Sequence, residues 1–106
     1  MNMRSCNCCL LDDQEFQEIS NLSQILKLLA EENRLKIFCL LEKSNCCVCE
    51  MHEPLAMSQS LLSHHLADLK AAGLINSRKK GRKVHYFLTA KGKKINQLLN
   101  NLRKEL

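Results

Sequence analysis

Large aromatic side chains are scarce in this sequence, which has three Phe, one Tyr and no Trp among its 106 residues. Leu and Ile must therefore fill the hydrophobic core, and this favours packed helices in one modest domain. No apolar run is long enough to span a bilayer, and Met1 to Cys6 leads into no hydrophobic signal segment. We therefore expect a cytoplasmic protein without a membrane partner.

Catalytic patterns are missing as well. The sequence contains no Ser/His/Asp set, no paired-carboxylate pocket and no Gly-rich phosphate loop, and nothing orders a base against a cysteine nucleophile. Repeats, low-complexity segments and signs of a second domain are also lacking. We expect neither an enzyme nor a protein with a small organic substrate.

Positive charge is present in modest excess and is concentrated in one place. The 16 basic and 11 acidic residues give a formal net charge of +5. Five positive charges occur in the six residues Arg78 to Lys83, whereas Asp12 to Glu18 holds four acidic residues and no Lys or Arg. Such a patch on an otherwise mixed chain indicates a polyanionic partner.

Hydrophobic periodicity predicts a mainly helical chain with a small β-hairpin. The expected organisation is a flexible cysteine-bearing arm over residues 1–14 and a folded domain over residues 15–106. The expected helices cover about 15–30 (either continuous or broken near Ser20-Asn21), 32–42, 46–55 (shortened or kinked at Pro54) and 58–73. Strands are expected over 74–79 and 83–88, followed by a last helix capped by Thr89.

The helix that begins at Ser58 has an unusual polar face. Ser58 is a good N-cap, and Gly73 suits the left-handed residue that ends a helix. Leu62, Leu66 and Leu69 form its apolar stripe. Its other side chains are short or flat polar groups that suit base edges in a major groove. The residues we expect to contact DNA are Ser58, Gln59, Ser60, Ser63, His64 and His65, the histidines serving in DNA contact and helix packing.

This order of elements predicts a winged helix-turn-helix that binds double-stranded operator DNA. Phosphate contacts are expected from the basic hairpin residues Arg78, Lys79, Lys80, Arg82 and Lys83. One such unit recognises one half-site, and the first and last helices have unused apolar stripes. We therefore expect a homodimer that pairs through those two helices.

Seven cysteines form two clusters and one isolated position, and an odd number in a reducing compartment argues against a disulfide framework. Thiolates at such spacings suit soft metals. Cys47 and Cys49 can share an ion only if their helix begins at or between them, or bends. Further thiolates are expected from the arm residues Cys6, Cys8 and Cys9, whereas Cys39 is expected in the core and the roles of Cys46 and His52 stay open.

The chain resembles the ArsR/SmtB family of metal-sensing repressors over about residues 22–88. The motifs that carry the resemblance are Glu32 to Ile37, Cys47-Val48-Cys49-Glu50, and Ser58 to Ile75. The resemblance implies a homodimeric repressor that binds its operator without metal and releases a resistance operon when toxic metal binds.

The same resemblance bears on the metal. The family's cadmium/lead sensors join arm cysteines of one subunit to the Cys-Val-Cys pair of the other, which this chain matches. Its arsenic sensors have a third cysteine where this chain has His52, so Cys46 or an arm cysteine would have to replace it. The zinc ligands of the last helix are absent. The expected effectors are Cd(II), Pb(II) or As(III).

Two other functions are compatible with these residues. The same DNA-binding fold could sense oxidation through a disulfide or persulfide, provided that two cysteines approach within bonding distance. Alternatively, the chain could be a small metal-buffering protein whose basic hairpin is incidental. Operator binding separates the second alternative from both repressor functions.

Overall fold

The computed structural model of the chain describes residues 10–106. Its elements, in chain order, are α1 (Asp13–Leu29), α2 (Glu32–Lys43), β1 (Cys46–Cys47), α3 (Val48–Met51), α4 (Gln59–Ala71), β2 (Ile75–Lys80), β3 (Lys83–Leu88) and α5 (Ala90–Lys104). None of the helices in this range combines the length and the apolarity that a membrane crossing requires. The winged helix-turn-helix predicted from the sequence is confirmed.

Helix α1 is continuous, so the break suggested near Ser20-Asn21 is wrong. The helix starts at a capping box in which Asp12 Oδ1 accepts from the Glu15 amide at 2.8 Å. At the suspected break, Gln17 Nε2 donates to Asn21 Oδ1 at 3.0 Å, one turn further on. Since no Gly or Pro interrupts this stretch, the backbone hydrogen bonds continue through it.

The core is aliphatic, as the shortage of aromatic residues required. Phe38 is the only aromatic side chain among the fully buried ones in residues 10–106. Around it lie side chains of α2, α4 and the base of the hairpin, among them Ile37, Leu62, Leu66 and Leu74. This single core fixes α4 against α2, and α4 is therefore held at a defined angle to the hairpin.

The sheet has three antiparallel strands in the order β1-β3-β2, one more than the sequence predicted. The added strand contains only Cys46 and Cys47, which pair with Tyr86 and His85. A strand of two residues has no periodicity of its own, so it forms because β3 offers it a free edge. It ties the chain immediately before α3 to the hairpin.

The helix-turn-helix consists of α3, a turn over residues 52–58, and α4. Helix α3 ends at Met51, three residues before Pro54, as expected for a residue that cannot continue a helix. The turn is closed by the Met57 amide, which donates to His52 O at 3.0 Å. Ser58 Oγ then accepts from the Leu61 amide at 3.1 Å, and Gly73 has φ +77°, so both predicted ends of α4 are confirmed.

A close backbone contact sets the position of α5. Gly92 is buried against Leu74, and a Cβ built on Gly92 would overlap the Leu74 carbonyl oxygen. We expect Gly92→Ala to lower the free energy of unfolding by about 2 kcal/mol or more, because α5 must move away from the hairpin base. Chemical denaturation would measure this loss. Lys94→Ala, at an exposed site on the same helix, is the control, and equal stability of the two variants would contradict the contact.

Candidate functional site

Helix α4 presents the polar surface expected of a DNA-contacting helix. Gln59, Ser60, Ser63 and His64 are exposed, while Leu62, Leu66 and Leu69 are buried beneath them. Ser58 is also exposed, but its hydroxyl caps the helix. Small side chains at the centre of this face would allow the backbone of the helix to approach a groove closely.

The position of His65 corrects the expectation that it contacts DNA. Its side chain is 6% exposed, and its Nε2 lies 3.3 Å from Glu31 Oε2 at the start of α2. His65 therefore packs α4 onto α2, which is the second of the two roles expected of the histidines. Helical spacing could have revealed this, since residue 65 falls on the stripe formed by Leu62, Leu66 and Leu69.

A charged contact that the sequence did not reveal fastens α4 to α2. Arg34 Nη2 lies 2.8 Å from Asp68 Oδ2, and Arg34 Nη1 donates to the Leu28 carbonyl at 3.4 Å. The exposed His64 ring approaches the same Asp68 oxygen at 3.6 Å. The two partners are 34 residues apart, so no local pattern links them. The pair links α4 to the end of α1 and the start of α2.

Strand register divides the basic hairpin between two faces. Arg78 pairs with His85, and Lys80 pairs with Lys83, so these four side chains share one face. Lys79 lies on the opposite face, together with Ser77. Because Lys70 of α4 donates to Ser77 Oγ at 2.8 Å, that second face is turned toward α4.

This division refines the expectation that all five basic residues contact phosphates beside α4. Lys79 is on the side of α4, and Arg82 lies in the exposed turn beside Gly81, which has φ +63°. Arg78 and Lys80 instead border a groove formed with α2 and α5. A count of charges in the sequence could not distinguish these surfaces.

Cys47 and Cys49 lie side by side at the start of the helix-turn-helix. Cys47 is the N-cap residue of α3, so the helix begins between the two cysteines, which is the condition that a shared ligand requires. The Cys47 amide donates to Glu50 Oε1 at 3.1 Å. Cys47 is buried and Cys49 is exposed, and a disulfide joins their sulfur atoms. The two sulfurs are thus within reach of one another.

The rest of a metal site is not found among residues 10–106, where no three Cys, His, Asp or Glu side chains are grouped for a metal ion. Cys6, Cys8 and Cys9 lie outside the described residues. Cys46 is buried, with its Sγ 3.3 Å from Ser44 Oγ. Cys39 is half-buried and accepts from Arg103 Nη1 at 3.6 Å. Cys47 and Cys49 would therefore offer two adjacent thiolates once their disulfide is reduced, and these would suit a soft ion but need a third donor from elsewhere.

Two helices present apolar stripes to the solvent. On α1 the stripe consists of Phe16, Ile19, Leu22 and Leu26, which are 39 to 56% exposed. On α5 it consists of Leu98 and Leu102, which are 67% and 57% exposed. Exposed large apolar side chains at helical spacing indicate a surface that another chain covers.

Comparison with known proteins gives consistent results. A family model described as "Bacterial regulatory protein, arsR family" matches residues 31–77. The arsenical resistance operon repressor of Escherichia coli is 46% identical over 67 residues, which cover 62% of this chain and 57% of that protein. The cadmium resistance regulatory protein CadC of Listeria innocua is 39% identical over 69 residues, covering 64% and 58%. The alignments thus span less than two thirds of these relatives.

A solved structure extends the similarity over more of the fold. The structure of reduced HlyU from Vibrio cholerae superposes with a TM-score of 0.75 and 37% sequence identity. The match covers 84% of this chain and 95% of that one.

Proposed function

Because the chain belongs to the arsR family of bacterial regulatory proteins, we propose that it is a homodimeric repressor whose operator binding is released by a thiophilic metal or metalloid. Membership in a family of regulators agrees with the expectation that the chain is not an enzyme. The observation that carries the effector part of the proposal is the Cys47–Cys49 pair at the first turn of the helix-turn-helix.

DNA binding is supported by two neighbouring surfaces. The exposed side chains of Gln59, Ser60, Ser63 and His64 would enter the major groove. Lys79 and Arg82 of the hairpin would neutralise phosphates on the adjacent backbone. Double-stranded operator DNA is therefore the proposed partner.

Dimerisation is supported by the apolar stripes of α1 and α5. Burying two copies of these stripes would remove from water six of the eleven large apolar side chains that residues 10–106 of each protomer expose. A two-fold axis through them would also supply the second α4 helix that a two-half-site operator requires.

Metal binding would use Cys47 and Cys49 with a third thiolate, proposed to come from Cys6, Cys8 or Cys9 of the arm. Thiolates select soft ions, which favours Cd(II), Pb(II) or As(III) over hard cations. Two relatives are named for arsenical and cadmium resistance, which supports this class of effector.

The pair is well placed to affect DNA binding. Cys47 belongs to β1, which pairs with His85 of the hairpin, and it also caps α3, which packs on α4. A movement of Cys47 would therefore shift both the hairpin and α4, which carry the proposed DNA contacts. Thermodynamic linkage requires that metal and DNA lower each other's affinity by the same factor.

An anaerobic titration tests the proposal. The fully reduced dimer, bound to fluorescent promoter DNA, is titrated with Cd(II) and separately with As(III). Release of DNA, seen as a fall in anisotropy together with ultraviolet thiolate-to-metal absorption, is expected. Tight DNA binding without a response to either ion would contradict metal sensing, and absence of DNA binding would contradict the repressor assignment.

The disulfide between Cys47 and Cys49 favours a second candidate function, in which the same repressor senses oxidation. Two thiols would lose two protons and two electrons to an oxidant such as hydrogen peroxide, which is reduced to two waters. Release of DNA by peroxide but not by Cd(II), and its reversal by dithiothreitol, would favour this function.

Phosphate contact by the hairpin predicts a change in salt dependence. Arg82 lies in the exposed turn, so Arg82→Ala is expected to remove about one phosphate contact and to reduce the slope of log K against log salt by about 0.9. Operator affinity measured from about 50 to about 200 mM KCl would determine the change. Lys104→Ala, at the end of α5, is the control. Identical slopes for Arg82→Ala and the parent would exclude Arg82 from the interface.

A further inference from the structure

A second basic surface of this chain is not used by the proposed DNA contacts. It is a groove of about 810 Å³ between the end of α2, the hairpin face turned away from α4, and α5. Pockets of roughly 300–1,000 Å³ are typical of small-molecule sites. The positive charges on its walls come from Lys43, Arg78, Lys80 and Lys93.

One of these cations is held in place. The Arg78 guanidinium lies over the Phe87 ring, 5.5 Å from its centroid. Stacking on an aromatic face restricts the rotamers of Arg, so less conformational entropy is lost when the planar group binds an oxyanion. Of the described residues that line the groove, Glu42 is the only acidic one. Besides Glu42 and the four cations, His85 is the only other titratable side chain in this lining.

The charge of Glu42 is already compensated. Asn100 Nδ2 donates to Glu42 Oε1 at 2.8 Å, and this bond, followed by one from Asn96, holds the pKa of Glu42 below its ordinary value. Glu42 therefore stays ionised and bound to its own chain. The four cations outnumber it, and the groove favours an anion with more than one negative charge.

The lining of the groove also contains buried acceptors without donors. Asn96 is 1% exposed, and neither its Oδ1 nor that of Asn100 has a hydrogen-bond partner. Buried polar oxygens in native proteins are usually satisfied. Both amides line the groove, so its floor is polar beneath the four cations.

The groove stays open in the proposed dimer. With about 100° of rotation per helical residue, Lys93 and Asn100 lie on the side of α5 roughly opposite Leu98 and Leu102. Pairing through the apolar stripe would therefore leave the groove accessible to solvent.

We propose that this groove binds a small phosphate-bearing anion, either free phosphate or a phosphate ester. The bound negative charge would weaken DNA binding because it lies on the same hairpin as Lys79 and Arg82 and opposes their attraction for DNA phosphates. The effect on DNA rests on the proposed function, whereas the anion site does not. The groove would thus give the repressor an effector site separate from its cysteines. Its ligand would be bound but not chemically converted.

Calorimetry of the full chain without DNA tests the site itself. AMP and inorganic phosphate are titrated at constant ionic strength, with adenosine as the ligand that lacks the phosphate. Saturable binding of AMP, phosphate or both is expected, with none for adenosine, and the tighter of the two identifies the source. Lys93→Ala should raise Kd at least about fivefold and Lys94→Ala less than about twofold, since only Lys93 borders the groove.

Two results would overturn the site. One is the absence of saturable binding for both phosphate compounds, and the other is an equal increase in Kd for Lys93→Ala and Lys94→Ala. The effect on DNA is measured separately, by anisotropy of the promoter complex with and without saturating AMP. Operator affinity should fall at least about threefold for the parent and stay constant for Lys93→Ala. Unchanged affinity in the parent would overturn the effect of the anion on DNA binding, whereas failure of the repressor assignment would appear as absent DNA binding with phosphate binding intact.

Discussion

Cys47→Ser is expected to raise the Cd(II) concentration needed for operator release by at least about 100-fold, because a serine hydroxyl stays protonated and is a hard donor. The hydrogen bond from the Cys47 amide to Glu50 Oε1 uses only the backbone of residue 47, so it would persist in the variant. Affinity of the metal-free protein for DNA should therefore stay within about twofold of the parent. Anisotropy titrations of the reduced protein with promoter DNA measure both quantities.

Two further variants make this result specific. Cys49→Ser changes an exposed thiol, so the same loss of response is expected without any packing cost. Cys39→Ser, on α2, is the matched control and should keep the response, because Cys39 contacts Arg103 and not the pair. If Cys47→Ser lost metal response and DNA affinity to the same extent, the Cys47 side chain would have only a structural role. A full response in both pair variants would remove these cysteines from the site.

Leu22→Glu is expected to convert the dimer into monomers and to lower operator affinity at least about 100-fold. The new carboxylate would have to be buried in an apolar interface, and a monomer contacts one half-site only. Leu22 is 56% exposed in the protomer, so its replacement should leave the protomer's own core intact. Sedimentation velocity gives the oligomeric state, and circular dichroism verifies that the helices persist.

Gln24→Glu is the control for this variant. Residue 24 lies about 200° around α1 from residue 22, so the same new charge falls outside the stripe. It should leave both the dimer and operator affinity unchanged. A dimeric Leu22→Glu protein with normal DNA binding would show that α1 does not form the interface, and Leu98→Glu would then test the stripe on α5 alone.

Local sequence determined the elements other than β1, and it determined the ends of α4. Ser58 and Gly73 act through hydrogen bonds and backbone angles within a few residues, so their effects could be deduced without the fold. The same holds for the end of α3 before Pro54, whereas the sequence placed the start of this helix only within residues 46–48. The scarcity of aromatic residues likewise predicted a core built from Leu and Ile.

Only the tertiary structure decided which side chains share a surface. The Arg34–Asp68 contact joins residues 34 positions apart, and β1 exists only because β3 offers it an edge. Strand register separated Lys79 from Arg78 and Lys80, and packing against Glu31 buried His65 away from the exposed polar face of α4. Propensity and capping depend on near neighbours, whereas a groove, an ion pair or a shared face depends on distances that exist only after the chain has folded.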